Sequence, residues 1–370
     1  MSTQPTTPIY SPGLETVIAG ETAISSIEDG LRYRGYPVGE LVEKCTFEEV
    51  AYLLLYGELP TKQQLADMRQ RMAEALRLPD ALKALLKSLP ASTPGMDVAR
   101  TSISVLAHFD PDIDDNSRAA NQRKAERMLT QIPVAITEFY RVSKGQQPVA
   151  ARSNLSHAAN FLYMLRGSEP APAEAKALDM SLILYAEHEF NASTFTCRVI
   201  TSTESDLHSA IVGGIGALKG RLHGGANEMA LDILQAAGKP EQAEAWIIAA
   251  LARKEKIMGF GHRVYKSGDV RAKIIKPTTR ALAIAAGFDE WEKSADIIED
   301  VMAREKNLFP NVDWPVARLY HALGIDRNLY TPIFVMSRIA GWTAHVIEQA
   351  ENNRLIRPRG RYIGPGKRSA

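Results

Sequence analysis

The sequence predicts a mainly α protein with a few short strands near its amino terminus. Three observations carry that prediction: threonine-led capping boxes open helical runs, glycine and proline punctuate the stretches between them, and β-branched, glycine-broken texture is confined to the first forty residues. Taken in order, 16–18, 23–27 and 31–36 are short segments broken by Gly20, Gly30 and Gly35, with room for two or three small strands. Thr46 with Glu49 boxes a helix over 47–56. Thr61 with Gln64, just after Pro60, boxes another over 62–76, so the two form a helical hairpin. Helices follow over 79–89, 96–108, 119–144, 154–166 and 173–187, then over 205–218, 227–237, 240–256, 270–286, 288–306, 314–323 and 330–352. That leaves little room for a sheet. The loop 109–116, with Asp110, Asp112, Asp114 and Asp115, reads as an exposed acidic connection; it lacks the glycine and closing glutamate of an EF-hand. The tail 354–370, interrupted by Pro358, Gly360, Gly364 and Pro365, cannot continue the preceding helix. It is either a solvated basic tail or, through Arg357 and Arg359, a clamp on an anionic ligand.

Composition narrows the function classes. A chain of 370 residues that is 45% apolar has material for a large core or for two to three ordinary domains, and disorder is not expected. The formal charge is +1 with acids and bases interspersed, which offers no extended footprint for nucleic acid or for an anionic membrane. Cys45 and Cys197 are too few for a disulfide framework or a four-thiolate zinc site, so both read as core thiols of a reducing compartment. No signal peptide, transit peptide or apolar run of membrane-spanning length is visible, and a cytoplasmic location is expected.

The chemistry concentrates in three short motifs in fixed order: Leu222-His223-Gly224-Gly225-Ala226-Asn227, Gly259-Phe260-Gly261-His262-Arg263 and Asn311-Val312-Asp313. Two histidines and one carboxylate in turn-like settings are the parts needed to take a proton from a weak carbon acid: a base, and imidazoles to hold the charge that develops on oxygen. His223 precedes two glycines and a helix start, whose amino terminus favours a neutral ring. His262 sits in a glycine loop with Arg263 and Lys266 behind it, which suits either phosphate or a plain tight turn. Asp313 before Trp314-Pro315 could instead cap the next helix. His188, in Glu187-His188-Glu189, is either a ligand-binding imidazole or a surface helix end. No histidines fall in His-Glu-x-x-His spacing, so no metal site is expected. The run Gly213-Gly214-Ile215-Gly216 misses both phosphate-binding fingerprints and suits close helix packing, and no Gly-x-Ser-x-Gly elbow is present.

Together with Asp269 and Arg271, Ser337-Arg338 and Arg357-Pro358-Arg359, these blocks resemble the citrate synthase family in correct order, from Gly13-Leu14-Glu15 to Tyr362-Ile363-Gly364-Pro365. The resemblance implies a multi-helical two-domain homodimer, with a large domain from 1–223 and 326–370, a small domain over 224–325, and a cleft between them. It assigns Asp313 to methyl deprotonation of acetyl-CoA, His223 to the thioester oxygen and His262 to the ketone of oxaloacetate. His188, Arg271, Arg338 and an Arg357 from the partner subunit would hold the oxaloacetate carboxylates. Lys256, Ile257, Met258, Gly259, Phe260 and Gly261 would bind CoA, with Arg263 and Lys266 as phosphate contacts. No resident cofactor is implied, since the CoA thioester is a substrate. Arg221, Thr93-Pro94-Gly95-Met96 and Trp314-Pro315-Val316 depart from the family pattern without removing a catalytic group. Because residues after Asp313 lie near the acyl pocket, 2-methylcitrate synthase, which uses propionyl-CoA, stands beside citrate synthase as the alternative. A zinc hydrolase and a noncatalytic helical scaffold are the rivals from other classes.

Overall fold

Both threonine capping boxes form, and they set the start of the helical array in a computed structural model that describes residues 10–14, 17–262, 265 and 268–369. Ahead of them lies a three-stranded antiparallel sheet of two-residue strands, β1 (Ser25–Ser26), β2 (Arg32–Tyr33) and β3 (Tyr36–Pro37), paired in the order β1-β2-β3. Residues 17–18 are not in a strand, and Thr16 lies outside the described residues. A short helix α1 (Val38–Lys44), which the sequence reading lacks, turns the chain into α2 (Phe47–Tyr56) and α3 (Lys62–Glu74). Next come α4 (Asp80–Ser88), α5 (Gly95–Ala107), α6 (Arg118–Ser143), α7 (His157–Arg166) and α8 (Pro172–Tyr185). A second unexpected helix, α9 (Ala192–Thr201), precedes α10 (Leu207–Leu218). The remaining helices are α11 (Ala226–Ala237), α12 (Pro240–Ala252), α13 (Val270–Ala285), α14 (Asp289–Lys306), α15 (Asp313–Ala322) and α16 (Tyr330–Glu351).

The mainly α expectation is therefore met, and helix ends fall within a few residues of the expected ones. The organising element is α16, whose residues from Tyr330 to Ile347 are buried all round, as expected of a helix enclosed by others. It packs against α2, α5, α6, α8, α9 and α10, while α11 to α15 pack chiefly among themselves. The glycine run in α10 does permit close packing on α9: a Cβ on Gly214 would stand 2.5 Å from the Cys197 sulfur. Cys197 is a core thiol, and Cys45 is half-buried.

The loop 109–116 is exposed at Phe109, Pro111, Asp114, Asp115 and Asn116, as expected, with one exception. Asp110 is buried, not exposed; Arg127 binds it at 2.6 Å, and buried Lys124 donates to the Asp115 carbonyl at 2.6 Å. These bonds pin the segment against α6, which charge counting along the sequence does not reveal. No helix among the described residues is long and apolar enough to cross a membrane.

Candidate active site

Backbone bonds zip the second and third motifs together. The Asn311 N–H donates to the Gly259 carbonyl at 2.9 Å and the Gly261 N–H to the Phe309 carbonyl at 2.8 Å. The Asn311 side chain finishes the join: Nδ2 donates to the Gly261 carbonyl at 3.0 Å, and Oδ1 accepts the Asp313 N–H at 3.0 Å. The loop bearing His262 is thus tied to the residue that opens α15. Gly259 is needed there because its φ is +87° and a Cβ would lie 3.0 Å from the Trp314 ring.

Asp313 does not cap α15. Val312 holds the cap position without a side-chain bond, and Asp313 Oδ1 instead accepts the Tyr185 hydroxyl at 2.6 Å. Burial pushes the Asp313 carboxyl up to about 6, against the opposing pull of the Tyr185 bond and the Arg271 charge. That places a base within reach of neutral pH. Tyr185 itself is buried and held well above its ordinary pKa, mainly by desolvation, so it stays a donor.

His223 arrives from the turn before α11. Its Nε2 lies 2.8 Å from Ser193 Oγ, which also accepts Trp342 Nε1–H at 3.1 Å and donates its proton to Asn191 Oδ1 at 2.8 Å. Burial, with the Arg338 charge added to it, pushes His223 down to about 4. The ring is neutral at neutral pH, as its place before a helix suggested. His262 stacks on Tyr265 at 4.7 Å between ring centres and lies 4.9 Å from the His188 ring.

His188 is no surface helix end. It is buried three residues beyond α8, its Nε2 is 3.1 Å from the Tyr265 hydroxyl, and burial followed by the charge of Arg271 holds it well below the ordinary histidine value. Arg271 is buried too. Desolvation opposes its charge, but Asp269 takes its Nε–H and Nη2–H at 3.0 and 2.8 Å and keeps it cationic. Asp269 also accepts the Val312 N–H at 3.1 Å, so one carboxylate orients both the guanidinium and the base-bearing segment. Arg338 donates Nε–H to the Tyr185 carbonyl at 2.7 Å, and its Nη1 has no hydrogen-bond partner among the described residues.

The structure therefore brings His188, His223, His262, Arg271, Asp313 and Arg338 around one polar, largely buried space. Arg357 is not with them: it lies exposed in the extended tail. Of the expected CoA strip, Lys256 is exposed, Ile257, Met258 and Gly259 are buried, and Phe260 packs on Trp314 at 4.8 Å with Gly261 half-buried beside it. Arg263 and Lys266 lie outside the described residues. Sequence reading missed Tyr185, Ser193, Tyr265 and Trp342. Only Ser193 carried a local signal, since Asn191 two residues earlier caps α9 by accepting the Thr194 N–H at 3.1 Å. Among the described residues no three His, Cys, Asp or Glu side chains converge as a metal site requires.

The Tyr185 bond makes a prediction of known sign. A donor to the ionised form lowers a carboxyl pKa, so Tyr185→Phe is expected to raise that of Asp313 and to move the acid limb of the rate profile, expected near pH 6 in the native chain, to higher pH. At pH 6 the variant is expected to lose several-fold more activity than at pH 8; an unmoved acid limb would show that Tyr185 does not tune the base.

Comparison with known proteins agrees with this geometry. The family described as citrate synthase, C-terminal domain, matches residues 13–359. Citrate synthase 2 of Bacillus subtilis is 47% identical over 96% of this chain and 96% of its own length. The 2-methylcitrate synthase of Mycobacterium tuberculosis is 46% identical over 98% of this chain and 92% of its own. Among solved structures, the citrate synthase of Thermoplasma acidophilum, captured in a ternary complex with carboxymethyl coenzyme A and oxaloacetate, superposes with a TM-score of 0.93 at 32% identity, covering 98% of each chain. With a carboxyl of raised pKa, a neutral imidazole and converging arginines gathered in one site, the chain belongs to the citrate synthase family and is an acyl-CoA condensing enzyme.

Proposed function

We propose that the chain is a citrate synthase, joining acetyl-CoA to oxaloacetate and hydrolysing the resulting thioester to citrate and CoA. The observation that carries this reading is the half-buried Asp313 carboxylate, raised to about 6 and fixed by Tyr185, in one site with a neutral His223. Deprotonating a thioester methyl needs more than a carboxylate, whose ordinary pKa is about 4; the oxyanion formed must be stabilised and water kept away. Ser193 has one hydroxyl proton. In the structure that proton goes to Asn191 Oδ1; when the hydroxyl turns to His223 Nε2 instead, the ring proton stands on Nδ1, where it can be donated to the thioester oxygen. Asp313 then takes the methyl proton, the methyl carbon bonds to the ketone carbon, and His262 supplies the proton that the ketone oxygen gains. Water finally cleaves the thioester and CoA leaves as the thiol.

His188, Arg271 and Arg338 hold the oxaloacetate carboxylates, with Arg271 and Arg338 charged in a dry environment where such bonds are strong. Residues 224–325 act as a small domain that closes over the substrates and excludes water. A further cation comes from Arg357 of the partner subunit, a reading supported by the exposed tail and by Glu28 and Glu189, which with Lys273 line the groove of about 830 Å³ beside Tyr265. Full turnover by a species that sediments as a monomer would sink that part. Lys256 to Gly261, with Arg263 and Lys266, form the CoA strip, and the cytoplasm and the tricarboxylic acid cycle are the setting such a reaction fits.

Thiol release with oxaloacetate plus acetyl-CoA, against oxaloacetate plus propionyl-CoA, tests the whole. One methylene is worth about 10- to 200-fold in kcat/KM, and acetyl-CoA is expected to be preferred within that range, with no effect of chelator. A preference for propionyl-CoA would make the enzyme a 2-methylcitrate synthase. Chelator-sensitive turnover would favour a zinc enzyme, and silence with both thioesters would overturn the condensation.

A further inference from the structure

Between Tyr185, which touches the base, and His188, which faces Tyr265, stands a carboxylate that the condensation does not use. Glu187 is 0% exposed. Its Oε1 accepts His345 Nε2–H at 3.0 Å and the Ser25 hydroxyl at 3.0 Å, while Oε2 has no hydrogen-bond partner among the described residues. A buried carboxylate is costly unless bonds and charges answer it, so each of its neighbours bears on its role. His345 is oriented from behind: its Nδ1 accepts Arg198 Nε–H at 2.9 Å, which leaves the ring proton on Nε2, facing Glu187. Arg198 also donates to Gln349 at 3.0 Å and to Glu348, and lies 4.5 Å from the Phe190 ring. On the other side, Ser25 Oγ accepts the Glu189 N–H at 3.0 Å. Glu187 thus pins the turn 186–191 to α16 and to β1, and that turn carries His188 and leads into Ser193. Gly341 allows the close approach, since a Cβ there would lie 2.3 Å from both the Ala186 carbonyl and Glu187 Oε2.

The charge of Glu187 matters as well as its shape. Arg338 is 1% exposed, and no carboxylate among the described residues lies within ion-pair distance of it. Burial pulls its pKa down to about 10, and Glu187 is the strongest influence in the opposite direction. The help is mutual: burial opposes ionisation of Glu187, yet His345 and then Arg338 hold it below the ordinary glutamate value.

We propose that Glu187 is a positioning residue that holds the His188 turn through His345 and Ser25, and whose fixed negative charge lowers the affinity of the site for oxaloacetate. The proposal rests on the reading that Arg338 grips oxaloacetate. A fixed negative charge there offsets the guanidinium before substrate arrives and opposes entry of a dianion. Removing the charge while keeping the shape therefore does two linked things: it destabilises the unliganded protein and it tightens oxaloacetate binding.

Glu187→Gln is the test, read by calorimetric Kd for oxaloacetate and by Tm with and without it. The expected result is a lower Tm without ligand, a Kd about fivefold tighter, as one charge of the ligand's own sign is neutralised, and an oxaloacetate-induced rise in Tm larger than that of the native chain. A purely structural role moves Kd the other way, because a slackened His188 turn binds less well; a weaker or unchanged Kd overturns the proposal. If Glu187→Gln does not fold, Ser25→Ala decides. Losing a hydrogen bond to the ionised form raises the Glu187 pKa, so relative to the native chain oxaloacetate is expected to bind progressively tighter as pH is lowered, whereas binding weakened alike at every pH is what a slackened turn gives and overturns the idea. Failure of the native chain to bind oxaloacetate, or native-like binding by Arg338→Gln, would instead overturn the underlying reading of Arg338.

Discussion

Asp313→Ala is expected to lower kcat for thiol release by about 10³- to 10⁴-fold, at the upper end of what a positioned general base contributes, while oxaloacetate still binds. The separation follows from the geometry. His188, Arg271 and Arg338 are held by Tyr265, Asp269 and the Tyr185 carbonyl, none of which passes through the Asp313 side chain. What alanine does disturb is Tyr185, whose buried hydroxyl loses its acceptor at a cost of about 1 to 3 kcal/mol in stability. Asp313→Asn controls for this, because an amide oxygen still accepts the Tyr185 proton but cannot take one from carbon. Both variants are therefore expected to lose turnover alike, with only the alanine form melting noticeably lower. Steady-state assay, calorimetry with oxaloacetate and thermal melting give the three readouts. Turnover within tenfold of native in the asparagine form would remove Asp313 from the role of base.

How much of this was legible in the sequence depends on how local the determining physics is. Capping boxes act over four residues, so Thr46 with Glu49 and Thr61 with Gln64 placed helix starts correctly. Helices without such signals were the ones missed. α1 begins Val38-Gly39 after a proline and spans only two turns, and α9 is rich in Ser, Thr and Val, poor helix formers that gain their helicity from packing on α10 and α16. Asn191, a good cap, was the available clue. The loop 109–116 is exposed as its charges suggest except at Asp110, whose burial shows only once α6 brings Arg127 alongside.

The site divides in the same way. His223, His262 and Asp313 sit in glycine- or asparagine-marked turns, which stand out against helical sequence. Their partners do not: Tyr185 ends an apolar helix, Trp342 lies in the middle of buried α16, and both read as ordinary core. Yet α16 presents Arg338, Trp342, His345 and Gln349 at intervals of three and four residues, one helical stripe whose polar ends all bond into the turn 185–193 or the arginine beneath it. The stripe is invisible as function until the turn is seen against it. Single-residue readings fail there in a systematic way: a lone aspartate before a helix is read as a cap, whereas tertiary burial hands Asp313 to Tyr185.

His223→Ala is expected to lower kcat by about 10²- to 10³-fold, or about 3 to 4 kcal/mol of transition-state stabilisation, the range for loss of one oxyanion donor. The KM for oxaloacetate should hardly move. Because burial and Arg338 push this histidine down to about 4, it is neutral across the working pH range, and an acid limb near pH 6 is expected from Asp313. The two residues are thus separable by pH profile: His223→Ala scales the whole profile down without displacing its acid limb, whereas Tyr185→Phe displaces the limb. Hydrogen exchange sharpens the point. The methyl protons of acetyl-CoA should exchange with D2O in the native enzyme when a nonreactive oxaloacetate analogue closes the site, and that exchange should fall with kcat in the variant, since both need the enolate. Ser193→Ala is the milder companion. It keeps the imidazole but removes the hydroxyl that orients Nε2, so its loss is expected to be smaller than that of His223→Ala. Folding should survive in each, since without the ring Ser193 keeps Trp342 and Asn191, and without the hydroxyl the ring keeps its buried place. If His223→Ala moved the acid limb instead of the amplitude, His223 would be titrating in the reaction, and its role as a neutral donor to the thioester oxygen would be lost.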